Sequence, residues 1–454
     1  MSSPSIVWFR DDLRLADHPA LLAAIDRGEP VLGLYVLDDE SDGIRPLGGA
    51  ARWWLHHSLT ALAADLGERG SQLVLRRGPA ASVVRSVVAD AGAGAVFWNR
   101  RYGGAERAID AGLKEELRAD GVDVQSFAAN VLFEPWTVKT GSGTPFSVFM
   151  PFWNAARNLP APREPLPRPD EVPGLSSAPA GDDLADWELL PTTPDWAGGL
   201  RERWQPGEAA ARARLREFLD DDLGTYDAAR DEPSAGATSL LSPRLRWGEL
   251  SPHTIWHAGV ETGGGTGKHA TSASRFLSEL GWREFAWHTL FHFPDLATKN
   301  WRRGFDAFPW PPLRPELLTA WEKGETGVPL VDAGMRELWH TGYMHNRVRM
   351  VTASFLTKNL LIDWRLGEQW FWDTLVDADG ASNAFNWQWV AGSGADASPY
   401  FRIFNPQRQA ERFDPKGRYV AQWAPDSVAR PPIVDLAETR KAALQAYEAV
   451  KRAR

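Results

Sequence analysis

Short apolar runs and amphipathic stretches alternate over residues 1–133. The apolar runs cover residues 6–9, 31–37, 72–75, 95–98 and 122–127. Between them, apolar residues recur at helical spacing, as at Leu55, Leu59 and Leu62. Strands that alternate with helices usually form a parallel sheet with right-handed crossovers. Residues 1–133 are therefore predicted to form a doubly wound α/β domain.

After residue 133 the pattern changes, first to a proline-rich stretch and then to helical spacing. Prolines crowd residues 158–173, and because proline lacks an amide hydrogen and fixes φ, this stretch favours a surface connector. From about residue 204 the apolar positions repeat with helical spacing, for example at Phe276, Leu280 and Phe285. The sequence thus predicts a linker over 134–203 and a large all-helical domain over 204–454.

The composition narrows the possible chemistry. The 454 residues include no cysteine, which excludes disulfides, thiolate metal sites and cysteine nucleophiles. No segment approaches the roughly 20 apolar residues that span a bilayer, and residues 1–9 lack a signal-peptide pattern. We therefore expect a cytoplasmic protein without membrane contact, and we expect a monomer. The net charge of −9 leaves DNA binding open, because phosphate attraction depends on local basic patches.

Common nucleotide and metal motifs are missing from the sequence. Neither a Walker-type Gly-Lys-Ser/Thr loop nor a Gly-x-Gly-x-x-Gly turn after the first apolar run occurs. His56 and His57 lack the spacing of metal ligands, so we expect no metal site.

Hydroxyl groups cluster at residues 238–243, Thr-Ser-Leu-Leu-Ser-Pro, directly ahead of a helical stretch. Hydroxyls and free backbone amides before a helix suit a phosphate or pyrophosphate group. The same pattern is typical of a simple helix cap. Both interpretations stay open on these residues alone.

Polar residues also gather on two predicted helices. Glu279, Trp282 and Arg283 share one helical face. These residues could form part of a functional site, or Glu279 and Arg283 could form a salt bridge beside a tryptophan of the core. Residues 344–350, Met-His-Asn-Arg-Val-Arg-Met, offer thioethers that can face a flat ring. Arg347 and Arg349 in this tract can anchor anions.

Two carboxylates, Asp377 and Asp379, lie in a tract that ends at Trp389. They can accept hydrogen bonds from ribose hydroxyls or ring N–H groups. Metal binding is the rival interpretation, but no third ligand follows with suitable spacing.

Together these tracts resemble the photolyase/cryptochrome family, and most of all its bacterial cyclobutane pyrimidine dimer photolyases of class I or III. The similarity begins at residues 6–15, Ile-Val-Trp-Phe-Arg-Asp-Asp-Leu-Arg-Leu, and extends to about Tyr419. Its long closing match is residues 387–406, which starts Trp-Gln-Trp-Val-Ala-Gly-Ser-Gly. The resemblance implies a helical domain that holds FAD and binds DNA. It also implies light-driven repair of cyclobutane pyrimidine dimers by electron transfer from excited, reduced FAD to a flipped-out dimer.

The resemblance assigns residues to the flavin. Those implied to hold FAD are Tyr226, Thr238, Ser239, Leu241, Ser242, Arg283, Asn346, Arg349, Asp377, Asp379 and Asn383. Asn383 matches the position beside flavin N5, where photolyases keep asparagine and many cryptochromes carry aspartate or cysteine. An amide there is expected to favour the reduced flavin.

The resemblance also assigns residues to the lesion. Those implied to contact the dimer or its DNA are Glu279, Trp282, Asn346, Arg347, Met350, Trp389 and Arg402. Glu279 would donate to a thymine carbonyl, which requires a protonated carboxyl in a dry site. Trp282 and Trp389 would form apolar walls for a dimer whose extrusion costs a few kcal/mol.

The chain holds 23 tryptophans against 7 tyrosines, a surplus that packing does not require. By resemblance, Trp387, Trp364 and Trp310 form the chain that passes electrons to photo-oxidised flavin. Trp310 fits only with a one-residue gap. Together with Glu279 and Asn383, these tryptophans are the predicted catalytic residues.

Family members bind an antenna chromophore, a folate (methenyltetrahydrofolate) or a deazaflavin, in the α/β domain. Residues 98–106 follow a predicted strand, where such pockets form. Glu106 aligns with a folate-contacting glutamate, whereas Ala105 lacks the neighbouring amide. Phe276 replaces a tryptophan that some relatives have near the flavin.

Basic residues cluster where the family binds DNA. They are Arg230, Arg244, Arg246, Lys299, Arg302, Arg303, Arg402, Arg408, Arg412, Lys416 and Arg418.

The main alternative function is a cryptochrome-type blue-light photoreceptor with little or no repair activity. Such a protein is expected to lose the lesion residues, change Asn383 or add a regulatory tail, whereas only a helix-like stretch at 436–450 follows here. A photolyase for the (6-4) lesion would carry histidine in place of Asn346, whereas a relative specific for single-stranded DNA stays open as an alternative. A flavin oxidoreductase would need a nicotinamide site, and none is recognisable.

Overall fold

The computed structural model describes residues 3–264, 266–397 and 401–452. Its N-terminal part contains a parallel sheet of β1 (Ser5–Phe9), β2 (Val31–Leu37), β3 (Leu73–Arg77), β4 (Ala95–Asn99) and β5 (Asp123–Phe127). Each strand lies within two residues of its predicted bounds. The strand order β3-β2-β1-β4-β5 is that of a doubly wound sheet, so the predicted α/β fold is confirmed. Residues 398–400 of the long closing motif lie outside the described residues.

Both faces of the sheet are covered by helices. These are α1 (Pro19–Asp26), α2 (Gly49–Gly67), α3 (Ala80–Ala91) and α4 (Gly104–Ala119). Every residue of β1, β2 and β4 is buried, which explains why these strands appear as unbroken apolar runs. One core lies against α1 and α2 and a second against α3 and α4.

The remainder of the chain is mostly helical. The helices are α5 (Phe149–Arg157), α6 (Gly198–Arg203), α7 (Glu208–Glu217), α8 (Tyr226–Ala229), α9 (Ser242–Arg246), α10 (Pro252–Thr262), α11 (Lys268–His292), α12 (Pro315–Glu322), α13 (Pro329–Thr341), α14 (Asn346–Ser354), α15 (Trp364–Thr374), α16 (Ser382–Ala391), α17 (Pro406–Phe413), α18 (Arg418–Trp423) and α19 (Leu436–Arg452). Residues 158–173 form neither helix nor strand, as their prolines predict. The predicted linker nevertheless contains α5 and α6, and its boundaries at 133 and 203 stay predictions.

Polar contacts join the sheet to the helical part. The backbone N–H of Leu15 donates to Glu208 at 2.7 Å, and Arg246 pairs with Asp11 at 2.6 Å. Gly248 has a φ of +64°, and a Cβ there would lie 2.1 Å from the Asp11 carbonyl oxygen, so this close approach requires glycine.

For two residues, these contacts contradict the prediction that they face DNA. Arg244 is buried and pairs with Glu249 at 2.7 Å, while Arg246 lies in the junction with the sheet. Buried charges need such partners. Arg244 and Arg246 therefore stabilise the junction and are removed from the predicted DNA face.

Within the described ranges, no helix has the length and apolar character needed to cross a membrane. The same part of the chain shows no group of three or more histidine, aspartate or glutamate side chains arranged to hold a metal ion.

Candidate active site

A cavity of about 490 Å³ lies in the helical part of the molecule. It brings together the predicted residues Tyr226, Thr238, Ser239, Leu241, Ser242, Glu279, Trp282, Arg283, Asn346, Arg347, Arg349, Met350, Asp377, Asp379, Asn383, Trp387 and Trp389. These residues come from α8, α11, α14 and α16 and from the loops before α9 and α16. Trp364, Trp310 and Arg402 do not line it.

One end of the cavity is built by the hydroxyl-rich segment that precedes α9. The helix begins at Ser242, with Pro243 in its first turn. On the outer side, Arg214 donates to the carbonyl oxygens of Ser239 and Thr238 at 3.0 and 3.1 Å. Two carbonyl oxygens of the segment are thus already bound, and hydroxyl and backbone N–H groups are the donors that a pyrophosphate requires.

Next to this segment lies a carboxylate with three hydrogen bonds. Arg349 donates to the two oxygens of Asp377 at 3.0 and 2.8 Å, and Ser242 Oγ donates to Asp377 Oδ2 at 2.6 Å. Although burial alone would lower it, the pair with Asp377 raises the pKa of Arg349. These contacts connect the hydroxyl-rich segment to α14 and fix one wall of the cavity.

The second carboxylate, Asp379, has a structural role at the start of α16. Its Oδ1 accepts hydrogen bonds from the N–H groups of Ala381 and Ser382 at 2.8 and 2.6 Å. Such a cap fixes the first turn of the helix. That turn carries Asn383, which is 8% exposed and faces the cavity.

The amide of Asn383 has a defined orientation. Its Nδ2 donates to the backbone oxygen of Glu368 at 3.0 Å and to Glu368 Oε1 at 2.8 Å. Both partners are acceptors, so the amide oxygen is the group left for a ligand in the cavity.

Glu279 differs from the expectation. Arg230 donates to its Oε1 at 2.5 Å, Arg275 Nε lies 3.9 Å away, and the Glu279 side chain is 29% exposed. The dry site expected at this position is therefore not present in this arrangement, because the carboxyl is partly exposed and paired with arginine. The possible salt bridge from Glu279 to Arg283 is not formed either, because Arg283 donates to the Asn130 carbonyl oxygen at 2.8 Å.

Aromatic rings form the walls beside Glu279. Trp282 stacks on Phe149 with ring centroids 3.8 Å apart and an interplanar angle of 12°. The guanidinium of Arg402 lies 5.0 Å from the ring centroid of Trp389. Arg347 pairs with Asp231 at 2.8 Å. Trp282, Trp389 and Arg347 thus line the cavity, and Arg402 lies over the ring of Trp389.

The three predicted electron-transfer tryptophans differ in position. Trp387 lines the cavity and contacts Phe371, with ring centroids 4.9 Å apart. Trp364 is buried at the start of α15 and donates to Asn300 Oδ1 at 3.0 Å. Trp310 is half-buried against Phe308, with ring centroids 4.3 Å apart.

A second cavity, of about 650 Å³, lies beside the ends of β4 and β5. It is lined by Trp98, Arg100, Arg101, Tyr102, Gly104, Arg107, Ala108, Asp110, Ala111, Lys114, Ser126, Trp136, Phe291 and Pro294. The predicted segment 98–106 therefore contributes to a pocket. Glu106 is not among its lining residues, and its Oε2 would lie 2.1 Å from a Cβ placed on Gly103.

Sequence reasoning missed several residues of the central site. Arg275 precedes Glu279 by four positions, a spacing that signals a helical ion pair. Tyr343 and Phe371 line the cavity without any distinguishing pattern. Glu368 contacts Asn383 only through tertiary packing, so no local signal marks it.

Comparisons with known proteins agree with this geometry. A family profile described as DNA photolyase matches residues 5–170, and one described as the FAD binding domain of DNA photolyase matches residues 276–431. A deoxyribodipyrimidine photo-lyase of Agrobacterium fabrum is 48% identical, over 99% of this chain and 99% of its own length. The chain belongs to the DNA photolyase family. Glu279, Asn346, Asp377 and Asn383, which line the 490 Å³ cavity, all lie within the residues that match the FAD binding domain.

Two further relatives place the chain within the family. The crystal structure of a bacterial class III photolyase from Agrobacterium tumefaciens matches with a TM-score of 0.94 at 47% identity, covering 100% of this chain and 98% of that one. Cryptochrome-1 of Arabidopsis thaliana is 37% identical, over 93% of this chain and 63% of its own length. The photolyase is the nearer of these two.

Proposed function

We propose that this protein uses light absorbed by bound, reduced FAD to split cyclobutane pyrimidine dimers in DNA. One observation carries the proposal. The residues suited to a dinucleotide and those suited to a flipped dimer line the same cavity, together with Asn346 of α14. The name of the Agrobacterium fabrum relative, deoxyribodipyrimidine photo-lyase, indicates the same class of lesion.

The donor set of the cavity fits FAD. The segment 238–242 and Arg283 would hold the pyrophosphate, while Arg349 and Asp377 would face ribose and ring groups. The amide oxygen of Asn383 would face flavin N5 as an acceptor. When bound and reduced, FAD supplies the light-excited electron that opens the dimer. The protein's contribution is binding, orientation and exclusion of water.

On the lesion side, Trp282 and Trp389 would form the apolar walls, and Met350 of the same cavity would contact the dimer. Glu279 can donate to a thymine carbonyl only when it is protonated. In the present arrangement it is the partner of Arg230. We therefore propose that the dimer, on entering, separates Glu279 from Arg230, whose guanidinium is then free to contact a DNA phosphate.

Arg347 and Arg402 would hold the DNA backbone at the rim of the cavity. The other exposed basic residues predicted for the DNA-binding face are Lys299, Arg303, Arg408, Arg412, Lys416 and Arg418. Phosphate attraction by this patch would operate despite the net charge of −9.

Trp387, Trp364 and Trp310 would return the flavin to its reduced form after oxidation. The contact of Trp387 with the cavity supports its place as the first member. Trp387→Phe is expected to slow the light-driven reduction of bound FAD and to leave the FAD content of the protein unchanged.

The second cavity would bind the antenna chromophore. Its aromatic residues can stack on a planar ring, and Arg100, Arg101, Arg107 and Lys114 outnumber the single acid Asp110, which suits an anionic ligand. Both a folate and a deazaflavin have this character. Titration of antenna-free protein with methenyltetrahydrofolate, and separately with a deazaflavin, followed by absorbance, distinguishes them.

The test of the proposed function has two arms. Binding of the reduced protein to an oligonucleotide with one defined dimer is measured in the dark, and the dimer is assayed again after illumination. Repair in the light supports the proposal. Bound FAD without any repair favours the cryptochrome-type photoreceptor instead.

A further inference from the structure

A loop of the N-terminal part is fixed against the flavin-binding part. This loop joins β2 to α2 and contains Arg45 and Pro46. Trp372 Nε1 donates to the Pro46 carbonyl oxygen at 2.9 Å. A Cβ on Gly48 would lie 2.3 Å from the Trp372 carbonyl oxygen, so only glycine permits this approach. The loop therefore has a fixed position against α15.

Arg45 uses this position to reach a buried carboxylate. Its Nη1 and Nη2 donate to the two oxygens of Glu368 at 2.7 and 3.0 Å. The guanidinium also lies 4.1 Å from the ring centroid of Trp372. The Glu368 side chain is only 3% exposed, whereas that of Arg45 is 32% exposed. A bidentate pair of this kind fixes both the charge and the orientation of the carboxylate.

Glu368 in turn fixes the Asn383 amide. As described above, Asn383 Nδ2 donates to the backbone oxygen and to Oε1 of Glu368. While Glu368 is a carboxylate, it accepts only, so the amide cannot rotate by 180° without placing its oxygen against two acceptors. The Asn383 oxygen is thereby kept on the cavity side.

We propose that Arg45 is a positioning residue that favours reduced FAD by acting through Glu368 on Asn383. The inference rests on the proposed flavin site. An acceptor facing N5 stabilises the N–H that reduced flavin carries there and oxidised flavin lacks. Without Arg45, Glu368 would be a buried carboxylate without its bidentate partner, a costly state that favours rotation of the side chain toward another partner. The Asn383 amide then keeps only one of its two acceptors, the backbone oxygen of Glu368, and is held less firmly in its orientation.

The experiment measures the ratio of reduced to oxidised flavin in the FAD-loaded protein at fixed solution potentials. Arg45→Ala is expected to lower this ratio by about threefold to tenfold, the value of one oriented hydrogen bond. Arg45→Lys keeps the positive charge but cannot form the two parallel hydrogen bonds of a guanidinium, so a smaller decrease in the ratio is expected. In a Glu368→Gln background, where no buried charge remains, Arg45→Ala is expected to change the ratio little.

Arg52→Ala is the matched control. Arg52 also supports this loop, through the Leu47 carbonyl oxygen at 3.1 Å, but its carboxylate partner is Asp39. An unchanged ratio in Arg45→Ala would overturn the proposal, as would an equal decrease in Arg52→Ala. If Arg45→Ala does not retain FAD, the comparison of Arg45→Lys with the original protein decides. Absence of FAD from the original protein would instead refute the proposed function.

Discussion

Arg349 and Asp377 form a bidentate ion pair, with N–O distances of 3.0 and 2.8 Å, between α14 and the loop before α16. The Asp377 side chain is 3% exposed and that of Arg349 is 24% exposed. The pair also orders the hydroxyl-rich segment, because Ser242 donates to the same carboxylate. The phosphate and ribose ends of the proposed flavin site therefore depend on one another.

Arg349→Met is expected to lower the FAD content of the purified protein by about tenfold and its free energy of unfolding by about 2 kcal/mol. The reason is that Asp377 would remain buried without its cation, an effect reduced here by the partial exposure of Arg349. Flavin absorbance per protein and denaturant unfolding measure the two effects. Arg365→Met, which removes the more exposed pair with Asp363, is the control and should retain FAD.

Glu279→Ala is expected to lower the repair yield by about tenfold or more, because a hydrogen bond to the thymine carbonyl would be lost. The FAD content should stay unchanged. Repair yield and flavin absorbance on the same preparation measure both. Glu261→Ala, an exposed glutamate on α10, is the control. Loss of FAD from Glu279→Ala would assign this residue to the cofactor and refute its lesion role.

Binding to dimer-containing DNA is expected to weaken steeply with salt, and Arg402→Ala should reduce the slope of log K against log salt by about 0.9. The reason is that one phosphate contact would be lost. Arg85→Ala, an exposed arginine that pairs with Glu116 on the sheet side, should leave the slope unchanged. Equal slopes for all three proteins would remove Arg402 from the DNA-binding surface.

Glu284 predicts a pH dependence of stability. Burial raises the pKa of Glu284 from 4.5 to about 7, although Arg283 and the N–H groups of Phe133 and Leu132 oppose the shift. The folded state thus binds the proton more tightly than the unfolded state. The free energy of unfolding should fall as pH rises from about 4.5 to about 7, by about 3 kcal/mol in total. Glu284→Gln should remove this part of the pH dependence, and an identical pH profile would contradict the assignment.

The fold followed from local patterns. Strands β1, β2 and β4 are buried, largely apolar runs, so their positions could be predicted from sequence. The cavity residues were found because Glu279, Asn346 and Asp377 lie in distinctive tracts that match the family. What the sequence could not provide is the pairing of those residues in space.

The differences arise from ion pairs that form only in the folded chain. Glu279 is the partner of Arg230, 49 positions away, at a position where the sequence predicts a carboxyl in a dry site. Arg45 and Glu368 are 323 positions apart. Arg244 was predicted to face DNA, but its partner Glu249 holds it inside. Which partner each charged side chain binds depends on its burial in the folded protein, and the spacing of residues along the sequence does not reveal this.

The most direct test is light-dependent turnover on a defined lesion. Reduced, FAD-loaded protein is mixed with an excess of a duplex carrying one cyclobutane thymine dimer, and intact thymines are counted by chromatography after illumination and after equal time in the dark. A duplex with a (6-4) lesion serves as the matched control. We predict that more dimers than protein molecules are restored, only in the light and only in the first duplex. Illuminated protein that holds reduced FAD and leaves the dimers intact would contradict the proposed function.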